Sequence, residues 1–454
     1  MKLQVAGLWI KITLATLLVG VAITFSAPAY AQAGAWTPPV AISAGGQGWE
    51  ASGAIDGNAN SVAVWLDPTS QEQIKSSSEP AGGNWGTATV VFSAILGTES
   101  PCDCPVVRIT TAGFATAVWR DDSGNVFTAD RPPASGWNPA KNLIPRGVSP
   151  ISNLFFVMNS LGDAAVVWTA GNSVLAVLRP AGAAWTAQET IATATGTRSG
   201  PHVTADHAGI SDDGAVIATW ESFTITCGTR SCSSSAFALH ASRQNPGSGA
   251  WVDSGSLLGP DKATHDARVA LDSTGEAILV ALSSSGAYTS ATQGASGGAW
   301  SSFNTVVSPN DSTIVSALAS DGAGHVTFVY EDIGFNGFNT SVAIAVNGSI
   351  SSNTWSSPIT VSGSDTSVAE VLFALAPSGA AVTTWLSNTA TPEIHAATRA
   401  SATGSWSTPL KISGPGTSIA PEGLAVNSSR DALAIYSGYD VNSVHTEYAT
   451  NFKP

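Results

Sequence analysis

Ten acidic residues recur at two fixed places in a chain that carries little other charge. Asp67, Asp121, Glu221, Glu331 and Asp440 follow short apolar runs that hold a tryptophan or tyrosine near their end. Glu50, Asp103, Asp266, Glu370 and Glu422 stand at the start of other short runs. Carboxylates gathered on one rim can hold a cation such as Ca2+, or accept hydrogen bonds from a cationic or polyhydroxylated ligand. Two of them flanking one bond could also cleave a glycosidic linkage by acid and base.

A denser titratable cluster is His202, Asp206, His207, Asp212, Asp213 and Glu221, with His265-Asp266 as a second pair. Histidine with carboxylate is a donor set for a divalent metal, and His202, Asp206 and His207 are the ligand candidates. The four cysteines fall in two local pairs, Cys102/Cys104 and Cys227/Cys232. In an exported chain these read as disulfides, with three connectivities open. A four-thiolate zinc site is disfavoured, because C-x-C and C-x4-C are not its usual spacings. No Gly-x-Ser-x-Gly elbow, His-Glu-x-x-His helix or phosphate-binding loop is present. Apart from Ca2+, no cofactor is expected.

The elements that must position these residues are short and repeated. Residues 1–31 have the plan of a secretory signal peptide: Lys2 and Lys11, an apolar run from Ile12 to Phe25, and a small-residue cleavage site ending at Ala31. That run is short for a bilayer span, and no later stretch replaces it. Without the two leader lysines, sixteen basic residues face 32 acidic ones, a balance of −16. Such a surface argues against nucleic acid or anionic membrane as partner. From residue 32 onward the chain reads as one domain.

A tryptophan opens each repeat of that domain. Trp36, Trp85, Trp137, Trp185, Trp251, Trp300, Trp355 and Trp406 are spaced by 49, 52, 48, 66, 49, 55 and 51 residues. Each repeat holds four runs of strand character bounded by Gly, Pro, Asn and Asp, and no sustained helical period appears. The middle of the repeat reads Asp/Asn-x-x-Gly-x-Ala and then apolar residues to an aromatic, as in Gly113/Trp119, Gly162/Trp168 and Gly214/Trp220. The glycine suits a hairpin turn, and the aromatic is expected in the core between neighbouring units. Blades one and eight have Ala59 and Arg430 at the glycine position.

Eight units of four antiparallel strands predict an all-β, eight-bladed β-propeller, with seven blades as the alternative if repeat four is irregular. The strand after each Trp should be the outermost strand of the preceding blade. The N-terminal strand Thr37–Ser43 should then complete the last blade and close the ring. In such a meander the inner-to-second turns and the third-to-outer links share one face, and these are uniform. The outer-to-inner and second-to-third connections share the other. That face collects the insertions, both cysteine pairs and the ten acids, so binding is expected there.

The Trp starts, the Asp-x-x-Gly-x-Ala hairpins and the Arg-Pro-Ala-Gly links (Arg179 to Gly182) resemble those of secreted bacterial propellers with repeats of about fifty residues. The style is similar to that of sialidase-like and WD40-like propellers. The resemblance implies a propeller fold and, on the sialidase side, action on extracellular carbohydrate. The Asp-box and arginine triad of sialidases are absent. The function expected is therefore a secreted, monomeric binding module for an extracellular glycan, peptide or surface partner. The alternatives are a carbohydrate hydrolase or lyase using rim carboxylates, and a structural protein of the cell envelope.

Overall fold

Outside repeat four the strands are short because the sequence interrupts the apolar runs with a turn within about ten residues, and each sheet ends after four of them. The computed structural model describes residues 34–43, 47–68, 73–93, 105–121, 124–144, 151–196, 199–228, 231–261, 265–308, 312–334, 340–414, 417–440 and 443–454. Cys102, Asp103, Cys104 and the leader lie outside them. The described residues form eight antiparallel sheets and no helix, arranged as an eight-bladed β-propeller. Blade 1, for example, runs Trp49–Ile55, Ser61–Asp67, Gln73–Glu79 and Thr89–Ser93 from the axis outward.

The ring closes as the tryptophan register requires. Blade 8 contributes Thr417–Val426, Ala432–Tyr439 and His445–Lys453, and the N-terminus supplies the outer strand. Ala35 and Trp36 pair with Lys453 and Phe452, and Val40 and Ala41 pair with Ala449 and Tyr448. Repeat four departs only in length. Its strands Gly200–Ile210, Val216–Cys227, Cys232–Gln244 and Val252–Asp261 are long, which accounts for the 66-residue spacing. The long hairpin is tied at its tip by a Cys227–Cys232 disulfide.

Eight hydrophobic clusters fill the eight seams between blades. The aromatic of each second strand faces the preceding blade: Trp119 joins blades 1 and 2, Trp168 blades 2 and 3, and Trp65 joins blade 8 to blade 1. Blade 5 has Ala281 there, and Leu239, Leu271 and partly buried Trp300 fill the space. Truncating one of these buried indoles to alanine would cost about 3–5 kcal/mol.

The inner-to-second turns form a belt on one face. In six of the turns the first residue (Asp56, Thr110, Asn159, Asp272, Asp321 or Asn427) caps the turn with its own side chain, whereas blade 7 starts with Ala376. Asp272 Oδ1 accepts the N–H groups of Thr274 and Glu276, both at 2.9 Å. Neighbouring turns then bond to each other: Gly57 N to Thr111 O, Thr111 N to Ser160 O, and Asn427 Nδ2 to Asp56 O. The turn glycine takes positive φ, 103° at Gly162 and 89° at Gly275. Ala59 and Arg430 hold the same conformation at 64° and 75°. An L-residue there costs roughly 1–2 kcal/mol, against about 0.5–1 for the extra freedom of an unfolded glycine. Arg430→Gly is exposed and clean, and is expected to stabilise by up to about 1 kcal/mol. Urea denaturation checks this, and a loss of stability would contradict it.

Candidate functional site

Each inner strand is the edge of its sheet, so its outward N–H groups need partners in the next blade. The rim acids supply many of them. Asp206 Oδ2 accepts from Ala267 N at 2.7 Å, and Glu221 Oε1 accepts from His265 N at 2.6 Å. Glu331 accepts the N–H of Glu370, and Glu422 that of Ala51. Bulges near the start of the inner strands make this geometry. In blades 1, 3, 5 and 7, Glu50, Asn153, Asp266 and Glu370 take positive φ. In blades 4, 6 and 8 the register breaks between Ala205 and His207, Val315 and Ala317, and Pro421 and Gly423.

Other acids of the predicted ring are tied into local turns. Asp67 is buried and pairs with Lys75. Asp121 accepts from Asn125 N and Nδ2, both at 2.8 Å, and Asp440 Oδ1 accepts from Val444 N at 2.9 Å. Asp266 bonds Arg268 at 2.7 Å, and Glu370 is exposed.

The histidine cluster is divided between the seams on either side of blade 4: His202 and Asp212 reach Asn172 and Ser160 of blade 3, while Asp206, His207 and Glu221 reach blade 5. The turn of blade 4 is Ser211 to Gly214, so His202, Asp206 and His207 all lie on its inner strand. His202 Nδ1 meets Asn172 Oδ1 at 2.6 Å, and His207 Nδ1 accepts from Val269 N at 3.4 Å. Burial pulls His207 down to about 3, aided by Arg268. Burial pushes Asp206 up to about 7 against the hydrogen bond from Ala267. His265 is 1% exposed and clamped, Nδ1 to Glu221 and Nε2 to Asp261, each at 3.0 Å. Burial alone would lower its pKa, but the two carboxylates raise it. Among the described residues no three His, Cys, Asp or Glu side chains are grouped to hold a metal ion.

The seam between blades 8 and 1 is built differently. Trp49 leaves its indole 44% exposed and stacks on His445, with centroids 4.6 Å apart and planes 14° apart. Tyr439, also 44% exposed, meets the same imidazole edge-on at 5.6 Å. His445 Nδ1 faces Gly48 O, and burial holds its pKa below the usual value. Beside this platform lie Glu50 and Glu422, both partly buried, and behind them Glu447, which is 0% exposed. Among the described residues neither Glu447 oxygen has a hydrogen-bond partner. Burial raises Glu447 well above the ordinary carboxylate range, and Glu422 adds to the shift. Glu422 is raised too, by burial first and then by Glu50 and Glu370, while the Ser437 hydroxyl lowers it.

Sequence reasoning missed Trp49 and Glu447, although one signal was present. Of fifteen tryptophans, eight open repeats, five end second strands and Trp9 is in the leader. Trp49 alone fits no periodic set. Glu447 sits opposite Ser437 in the third strand of blade 8, a slot that faces blade 1.

The opposite face carries clefts at the blade seams. Cavities of about 270, 260 and 330 Å3 lie between blades 1 and 2, 3 and 4, and 6 and 7. Their walls include guanidinium groups committed to the fold: Arg179 pairs with Asp130 at 2.7 Å and lies 4.9 Å from the Trp185 ring, and Arg399 bonds Thr327 and lies 5.2 Å from Trp406.

Fold and seams define the class: an eight-bladed propeller closed by its N-terminal strand. No protein-family model matches the chain, and no curated protein does. Among solved structures it is similar to an ulvan lyase of a new polysaccharide lyase family, bound to -[GlcA(1-4)Rha3S]- (10% identity, 90% of this chain and 95% of that one, TM-score 0.50). It is also similar to the BP39L lectin from Burkholderia pseudomallei (13% identity, 81% and 100% covered, TM-score 0.48). A third is the β-propeller domain of the Trilobed protease from Pyrococcus furiosus (9% identity, 81% and 98% covered, TM-score 0.46). At these identities the likeness is one of fold.

Proposed function

We propose that the protein is a secreted, non-catalytic propeller that binds an extracellular glycan at the seam between blades 8 and 1. The observation that carries this reading is the exposed Trp49 indole on His445, next to Tyr439 and the carboxylates of Glu50 and Glu422. An aromatic face stacks on the apolar face of a sugar ring, and carboxylates accept its hydroxyls. The acidic surroundings favour neutral or cationic sugars over polyanions such as the uronate and sulfated chain bound by the ulvan lyase. The Cys227–Cys232 disulfide accords with an oxidising location, and among the described residues no helix is long and apolar enough to cross a membrane.

Glycan-array binding and calorimetry with Trp49→Ala test the proposal. Loss of one stacking aromatic should weaken binding about tenfold, the equivalent of roughly 1.4 kcal/mol. Unchanged binding by the variant would remove this seam from the account. A second reading rests on the neighbouring acids Glu422 and Glu447: a raised carboxylic acid beside another carboxylate is the pair that glycoside cleavage uses. Product release from the bound glycan, abolished by Glu422→Gln, would favour that reading over simple binding.

A further inference from the structure

Two of the seams that bring acids together share one plan and differ by two exchanges. Asp206 stands five residues before the turn of blade 4, and Glu422 five before that of blade 8. Each accepts the N–H of the matching residue in the next blade, Ala267 and Ala51. His265 and Trp49 stand two residues earlier still. The carbonyl of His265 accepts from Leu282, and Trp49 pairs with Leu66, the matching residue of its own second strand.

Behind them, blade 4 sets Glu221 opposite Leu239, and blade 8 sets Ser437 opposite Glu447. The deep carboxylate is thus kept, moved one strand outward. What differs is its counterion. In the first seam the imidazole of His265 turns inward and sits between Glu221 and Asp261. In the second the equivalent residue is a tryptophan, which carries no charge and turns outward. Glu50 and Glu370 act on Glu422, Glu422 acts on Glu447, all with the same sign, and the nearby His445 is biased toward its neutral form.

We propose that the seam between blades 8 and 1 takes the ammonium group of an amino sugar, held by Glu422 and Glu447 in the place that His265 fills between blades 4 and 5. This rests on the glycan reading and names its ligand class. An ammonium brings three N–H donors and a positive charge, which two carboxylates with open acceptor sites satisfy. It enters from the channel side, meets Glu422 on the inner strand first, and is backed by Glu447. The sugar ring that carries it lies against Trp49. A divalent metal fits less well, since no third donor completes a metal group among the described residues.

Calorimetry with a glucosamine hexamer and its fully N-acetylated counterpart tests this, because acetylation removes the charge and keeps the ring. The wild type is expected to bind the free-amine oligomer at least about tenfold more tightly at a pH where the amine is protonated. Glu447→Gln is expected to lose that preference and retain the affinity for the acetylated oligomer, whereas Glu422→Gln is expected to lose the preference and weaken both oligomers, with near-ultraviolet circular dichroism confirming the fold. Equal binding of both oligomers by the wild type overturns the ammonium site and leaves the glycan reading intact. If neither oligomer binds but butylammonium does, and Glu447→Gln abolishes it, the ammonium site stands and the glycan reading falls. Binding of none of the three overturns the proposal.

Discussion

Replacing Glu447 by glutamine is expected to raise the melting temperature at about pH 8 and to leave it nearly unchanged at about pH 4. The side chain is fully buried, both of its oxygens lack hydrogen-bond partners among the described residues, and its pKa lies well above the ordinary 4.5. The folded protein therefore keeps a proton that the unfolded chain gives up. Stability from this group is complete below the unfolded value and is lost as pH rises through the folded one. Glutamine preserves the shape and cannot ionise. A gain on the order of 1–3 kcal/mol at the higher pH follows, since each unit between the folded and unfolded pKa is worth about 1.4 kcal/mol. In a ring this long that amounts to roughly 1–4 °C. The comparison must be between variants, because other groups tilt the wild-type curve. Asp206, raised to about 7, also favours acid, whereas His207, lowered to about 3, loses stability as pH falls below its unfolded value. Parallel melting curves for wild type and variant would show that Glu447 is satisfied in solution.

Deleting residues 35–43 is expected to have the larger effect. The segment supplies the outer strand of blade 8 through Ala35, Trp36, Val40 and Ala41. Thr37 N and Ile42 N also donate to Asn451 O and Glu447 O, and Ser43 Oγ accepts from Glu447 N. Ile42 is buried in the seam that includes Trp65 and Leu433. Losing these hydrogen bonds and the burial of Ile42 and Trp36 costs about 5 kcal/mol or more. It also bares the edge of His445–Lys453, an invitation to pair with another chain. Thermal melts and size-exclusion chromatography should show a lower transition and higher-order species. A truncated chain that stays monomeric and melts within about 2 °C of the full one would mean that the closing strand holds little of the ring together.

The architecture was open to reading because its determinants are local and repeat eight times. The turn residues Asp272 and Gly275, the strand ending at Trp168 and the Trp starts each signal their role within a few neighbours. Closure followed from counting, since the strand after Trp36 has no earlier blade to join. The site was less open because its contacts cross blades. Nothing near Glu422 in sequence says that its carboxylate meets Ala51, and nothing near Glu221 that it meets His265. The recurrence of the acids was legible; that several of them cap a neighbour's N–H, and that others close local turns, was not. Position in the ladder decided the rest. Glu447 looked like any polar residue of a third strand until its pairing with Ser437 turned it into the seam. The cysteine connectivity was open in the sequence, and the hairpin that sets Cys227 opposite Cys232 decides it for that pair, whereas Cys102 and Cys104 lie outside the described residues.

The bulges on the inner strands have a consequence for how the seams are sealed. Blades 1, 3, 5 and 7 place a left-handed polar residue there, at Glu50, Asn153, Asp266 and Glu370, and the register breaks in blades 1, 3, 4, 6, 7 and 8. At the junctions after blades 4 and 8, the carboxylate of Asp206 or Glu422 crosses to the next strand's N–H. At the junction of blades 3 and 4, Asn153 Nδ2 donates to Ala205 O instead. Side chains thus stand in, at these seams, for the ladder partner that an edge strand lacks. A substitution at one of them acts on two blades at once, so its cost is set by the neighbouring blade as much as by its own sheet.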